Sequence, residues 1–159
     1  MEYRICYTSP LGFLILKSDG QAVTEISFSE HDSSDVNACA LLLQCKDQLD
    51  DYFSGKALEF NLPLNPGGTS FQKRVWAELM NIPKGQTITY QELARRLGDI
   101  KLIRAVGTAN GRNPLAIVIP CHRVIGAGNK LTGYAGGLTR KQWLLAHEMK
   151  HHPVAGTLF

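Results

Sequence analysis

A thiol, an imidazole and a guanidinium follow one another in Pro120-Cys121-His122-Arg123. A cysteine reacts as its thiolate, which is only a few per cent of an unperturbed side chain at neutral pH, so a reactive one needs a base or a cation nearby. His122 and Arg123 are the candidates. Neighbouring residues of an extended chain point to opposite faces, so His122 reaches Cys121 only through a turn or a bridging water. The base would also need an acceptor to orient it. The plainer alternative is a buried cysteine that fills space, with a chance histidine beside it.

The elements that must position these groups are legible on both sides. The apolar run Leu115-Ala116-Ile117-Val118-Ile119 predicts a buried strand that ends at Cys121, and strand ends at clefts commonly present reactive side chains. Downstream, residues 126–137 form a loop with five glycines. It is not a dinucleotide fingerprint, because Leu131 stands where the third glycine should be, but it can bring backbone amides close to a planar ligand. Thr139-x-x-Gln142 predicts the cap of a last helix that carries Trp143, Leu144 and Leu145 into a core and ends at His147-Glu148. Glu148 is available to orient His122, although an acidic residue near a helix end is ordinarily just solvated.

Upstream, Thr69 or Ser70 caps a helix bearing Phe71, Val75, Trp76 and Leu79 that ends before Pro83. Thr89-Tyr90-Gln91-Glu92 reads as a capping box opening a short helix through Leu97, with Gly98 as its stop. A second helix follows from about Lys101 to Asn110, and the pair is a helix-turn-helix candidate. The small residues of Arg104-Ala105-Val106-Gly107-Thr108-Ala109 leave a thin helix, suited to close packing or to a narrow nucleic-acid groove. At the front of the chain, residues 3–8, 12–18 and 22–28 predict an antiparallel meander with turns at Ser9-Pro10-Leu11-Gly12 and Asp19-Gly20. Val36 to Phe53 predicts a helix closed by Gly55.

Charge divides the chain near Asn65-Pro66-Gly67-Gly68, the best linker. Residues 1–67 carry 10 acidic and 4 basic side chains, net −6, whereas residues 68–159 carry 4 and 13, net +9. A basic second part facing a polyanion follows, since clustered Lys and Arg supply most non-specific affinity for nucleic acid. The four cysteines show no Cys-x-x-Cys pair and no regular framework, so neither a zinc finger nor a disulfide scaffold is indicated. No apolar run approaches the roughly 20 residues of a membrane span, so a soluble, intracellular, cytoplasmic protein (nucleoid-associated in a prokaryote) is expected, with no membrane partner. The fold class is α/β in the broad sense (α+β): residues 1–67 a small supporting domain of antiparallel sheet plus helix, residues 68–159 a mainly helical domain with the helix-turn-helix and an active-site strand.

With these pieces in view, the sequence resembles the O6-alkylguanine-DNA alkyltransferases, also called methylated-DNA:protein-cysteine methyltransferases. The resemblance rests on Thr69-Ser70-Phe71-Gln72, Tyr90, Arg104-Ala105-Val106-Gly107, Asn113-Pro114, Ile119-Pro120-Cys121-His122-Arg123-Val124, Gly133-Tyr134-Ala135-Gly136-Gly137 and Trp143-Leu144-Leu145-Ala146-His147-Glu148. It implies that Cys121 accepts an alkyl group from O6-alkylguanine in double-stranded DNA, stoichiometrically and irreversibly, with O4-alkylthymine left open as a further substrate. It implies that His122 acts on Cys121 through water and is oriented by Glu148, and that Tyr90 helps rotate the nucleotide out and donates to the guanine ring. Arg104 would fill the space left in the base stack from the minor-groove side, with Ala105, Thr108, Asn110, Arg112 and Arg123 completing the DNA-binding set. Val124, Tyr134, Ala135 and Gly136 would form the substrate pocket, and Asn113 the hinge from the recognition helix to the strand.

The chain departs from the family at two places. Eukaryotic members often carry serine where Ala135 stands, which leaves only backbone amides to meet the substrate oxygen. Some members bind a structural zinc through ligands that Cys6 and His31 do not reproduce, so no metal is expected, nor any cofactor, and the protein is expected to be a monomer. Two other functions are weighed against this one: a non-catalytic sensor of alkylated DNA, which would not need Cys121, and a Cys-His hydrolase, which would need an oxyanion hole and would turn over.

Overall fold

The computed structural model describes residues 2–152. The fold is α+β, and the chain divides into two compact units: Met1–Gly67 together with Pro114–Val118, and Gly68–Asn113 together with the residues from Ile119 onward.

In the first unit, β1 (Tyr3–Ser9), β2 (Gly12–Ser18) and β3 (Val23–Ser29) pair antiparallel in the order β1-β2-β3. The turns form where the sequence expects them. Ser9 Oγ accepts from the Leu11 amide and donates to the Gly12 carbonyl, and Asp19 Oδ1 accepts from the amides of Gln21 and Ala22. Alternation along β1 and β2 buries Ile5, Tyr7, Leu14 and Leu16, and β3 buries Val23 and Ile26, three residues apart. Helix α1 (Ala40–Ser54) buries Leu42, Cys45, Leu49 and Tyr52, at helical spacing, and ends on Gly55 at φ 82°. It starts four residues later than expected, because Val36 pairs its backbone with Arg4 in an antiparallel bridge.

The predicted strand 115–119 does not form. Leu115 makes one parallel bridge to Ile26, and the chain then turns, with Ile117 at φ 74°. Burial was the correct part of that expectation, since Leu115, Ile117, Val118 and Ile119 are all at most 5% exposed. An apolar run reports that water is excluded and does not report that the backbone is extended. A β-branched residue at positive φ is uncommon, and the packing around Ile117 must hold it there.

In the second unit, α2 (Ser70–Leu79) opens with a complete capping box between Thr69 and Gln72. Its Trp76 is core, and its indole N–H donates to the Ala109 carbonyl at 2.9 Å. Strand β4 (Ile88–Thr89) leads into α3 (Tyr90–Arg96). Thr89 Oγ1 accepts from the Glu92 amide, but the Glu92 carboxylate binds Arg95 and Arg96 instead of returning to the cap, so only half of the predicted box is made. After Gly98, a 3-10 turn over Ile100–Leu102 precedes α4 (Ile103–Gly111), the second helix of the pair. Cys121–Arg123 is a 3-10 turn, followed by β5 (Val124–Ile125), which pairs parallel with β4. Helix α5 (Leu138–His151) starts from Gly137 at φ 93°, with Thr139 inside its first turn, so the predicted Thr139 cap is not made and the helix runs three residues beyond Glu148. Among the described residues, no helix is long and apolar enough to cross a membrane.

Candidate active site

Cys121 lies on the 3-10 turn with 6% of its surface exposed. Burial pushes its thiol above its ordinary value, against the opposing pull of a hydrogen bond from the Asn113 side chain and the charge of Lys141. Asn113 also donates to the Ile119 carbonyl at 2.7 Å, which ties the end of α4 to the residues leading into Cys121. The Cys121 amide donates to the Ile119 carbonyl at 2.8 Å.

His122 is fully buried and does not face solvent as a free base. Its Nε2 is 2.7 Å from Glu148 Oε2, and its Nδ1, also buried, makes no hydrogen bond to protein. Arg123 completes the cluster: Nε and Nη2 donate to the two Glu148 oxygens at 2.8 and 3.0 Å, and Nη1 donates to the Ile82 carbonyl at 2.7 Å. Burial works to raise the Glu148 carboxyl, but His122 and Arg123 together hold it well below the ordinary carboxylate range. A buried carboxylate is tolerated because both of its oxygens meet charge-assisted donors.

A cavity of about 720 Å³ opens in the same unit, within the range of small-ligand sites. Tyr90, Arg104, Gly107, Gly133, Tyr134 and Ala135 line it. Burial raises the phenols of Tyr90 and Tyr134, and Cys121 adds to the rise in both. Tyr90 Oη donates to the carbonyls of Thr132 and Gly133 at 3.1 and 3.3 Å, and a side chain on Gly133, at φ 62°, would press against that hydroxyl. Glycine suits that position both for its positive φ and for the tight approach of the hydroxyl.

Of the residues expected to meet DNA, Arg104, Ala105, Thr108 and Arg112 are exposed on α4 or at its C-terminal end. Asn110 and Arg123 are not on that surface. Arg123 is committed to Glu148 and Ile82, and Asn110 is 1% exposed with its amide nitrogen 3.3 Å from the Cys121 carbonyl. Of the expected pocket residues, Tyr134 and Ala135 line the cavity. Val124 is fully buried in β5, where its carbonyl serves Lys141, and the Gly136 carbonyl accepts from Arg140 at 3.2 Å.

Lys141 is the functional candidate that sequence reasoning missed. It is fully buried, donates to the carbonyls of Val124 and Thr132 at 2.5 and 2.7 Å, and stands 5.8 Å from the centroid of the Tyr90 ring. Desolvation brings its ammonium down to about 8, partly opposed by the Cys121 charge. The signal was present in the sequence: Lys141, Leu144 and Glu148, at i, i+3 and i+7, share the inward face of α5.

Comparison with known proteins covers most of the chain. The family model for the 6-O-methylguanine DNA methyltransferase DNA binding domain matches residues 70–150, and that for the 6-O-methylguanine DNA methyltransferase ribonuclease-like domain matches residues 3–66. A methylated-DNA–protein-cysteine methyltransferase of Mycolicibacterium paratuberculosis is 44% identical over all of this chain and 99% of its own length. One from Methanosarcina acetivorans is 44% identical over 92% of this chain and 97% of its own. The crystal structure of Mycobacterium tuberculosis OGT in complex with DNA superposes with a TM-score of 0.85 at 44% identity, covering 95% of each chain. By sequence over nearly its whole length, and by a fold that carries the cysteine, histidine and glutamate of its site together, the chain belongs to the 6-O-methylguanine DNA methyltransferase family.

Proposed function

We propose that this protein repairs DNA by moving an alkyl group from O6 of guanine in a duplex to Cys121 Sγ. The observation that carries the reading is a buried thiol followed directly by the closed His122-Glu148-Arg123 network, in the same unit as a cavity lined by Tyr90, Arg104 and Tyr134. The sulfur attacks the alkyl carbon, an S–C bond forms, the C–O6 bond breaks and its electron pair leaves on the guanine. The thiol proton passes through a bridging water to His122, whose imidazolium Glu148 stabilises, and the departing guanine takes up a proton from solvent. The product thioether is not hydrolysed under mild conditions, so each molecule acts once.

The reacting carbon lies inside a duplex, so the nucleotide must leave the stack, at a cost of a few kcal/mol. Arg104, exposed on α4 and at the cavity wall, would occupy the vacated space, and Tyr90 and Tyr134 would supply aromatic walls for the base. Tyr90 must then exchange its Thr132 and Gly133 acceptors for the base. The small residues of α4 suit the minor groove.

A Cys-His hydrolase fits less well. In acyl transfer the amide of the nucleophile commonly helps to form the oxyanion hole, and the Cys121 amide is already donated to Ile119. Intact-mass measurement after mixing with a duplex carrying O6-methylguanine tests the proposal. One methyl group per protein, mapped to Cys121 and lost in Cys121→Ala while duplex binding persists, is the expected result. Transfer by Cys121→Ala, or many turnovers by wild type, would overturn it.

A further inference from the structure

Asn110 is a buried amide on a helix whose other inward residues, Val106 and Ala109, are apolar. A carboxamide taken out of water without partners is costly, so its presence at 1% exposure calls for directional bonds. Its Nδ2 donates to the carbonyl of Cys121 at 3.3 Å. That carbonyl also accepts from the Val124 amide, which closes the 3-10 turn, so the two donors together fix the plane of the peptide that carries the thiol. Its Oδ1 is buried without a hydrogen-bond partner. One side chain thus reaches from the exposed-arginine helix to the acceptor residue.

We infer that Asn110 is a positioning residue for alkyl transfer, holding the Cys121 backbone, and with it the sulfur, in line with the alkyl carbon of a base seated beside Tyr90. This rests on the alkyl-transfer reading above. Asn113 acts differently, since it binds the preceding carbonyl of Ile119 and the thiol itself. Asn110 touches neither substrate nor sulfur, and acts through the peptide of Cys121. Small errors in the placement of reacting groups are expensive: a displacement of about 1 Å can cost roughly 100-fold in rate.

The experiment is single-turnover transfer from an O6-methylguanine duplex, measured over a range of duplex concentrations for wild type, Asn110→Leu and Asn110→Asp. Asn110→Leu keeps the volume and removes the donor. The maximal rate should fall about tenfold or more while the half-saturating duplex concentration changes less than about twofold, because the side chain is hidden from DNA. In Asn110→Asp the carboxyl can donate to the Cys121 carbonyl only when protonated. Its rate relative to wild type should therefore be highest at acid pH and fall as pH rises, a pattern that simple loss of packing would not produce. If Asn110→Leu does not fold, this pH dependence decides alone. A wild-type maximal rate in Asn110→Leu, a loss confined to half-saturation, or a pH-independent ratio for Asn110→Asp would overturn the inference. Absence of transfer by wild type would instead defeat the function reading, and this inference with it.

Discussion

Glu148 holds Arg123 by both carboxylate oxygens and His122 by one of them, at 2.7 to 3.0 Å, with the carboxylate fully buried. Its folded-state acidity is therefore stronger than in the unfolded chain, so the stability it contributes is complete above the ordinary value of 4.5 and is lost as pH falls below that. Thermal melts of wild type should drop on acidification through this window. Glu148→Gln should remove most of that dependence and cost about 3–5 kcal/mol at neutral pH, because Arg123 stays buried without its counter-ion. A Gln variant as stable as wild type would show that the network adds nothing to folding.

Lys141 brings a positive charge into the shell of a thiol that burial would otherwise keep protonated. Replacing it with Met keeps much of the side-chain length and removes the charge. The pH midpoint for alkylation of Cys121, followed by peptide mass mapping, should move up in Lys141→Met, and transfer at neutral pH should slow. The carbonyls of Val124 and Thr132 lose a donor at the same time, so the loop from Gly126 to Gly137 should exchange its amide hydrogens faster. An unchanged midpoint would remove Lys141 from any electrostatic role.

Arg104→Ala should separate extrusion from chemistry. Transfer from a modified duplex should slow far more than transfer from the free modified base, which needs no flipping. Equal slowing on both would assign Arg104 to the pocket wall alone. Duplex affinity should also fall steeply with salt, given a second part with net charge +9.

Methylated protein should be less stable than the unmodified form. Cys121 is 6% exposed, and an added methyl on its sulfur overpacks the site at a cost of about 1–3 kcal/mol. A benzyl group should lower the melting midpoint further than a methyl. Equal or higher midpoints for the alkylated forms would mean that the cavity absorbs the group without strain.

Much of the architecture was written locally. Turns at Ser9 and Asp19, a cap at Thr69, the glycine stops at Gly55 and Gly98 and the meander of β1 to β3 depend on near neighbours, and they formed as read. So did the pairing of His122 with Glu148, which the family motif carried across 26 positions. What the sequence could not determine lay in the direction and company of buried side chains. Hydrophobicity marked residues 115–119 as interior, but the turn at Ile117 depends on packing with no local signature. The resemblance put Arg123 among the DNA contacts, and only the tertiary fold brings Glu148 and the Ile82 carbonyl to it; likewise Asn110 turns inward to Cys121, and Lys141 becomes a buried cation. A charged or polar residue is drawn equally to water or to a complementary partner, and which one it meets is settled by residues far away in the chain.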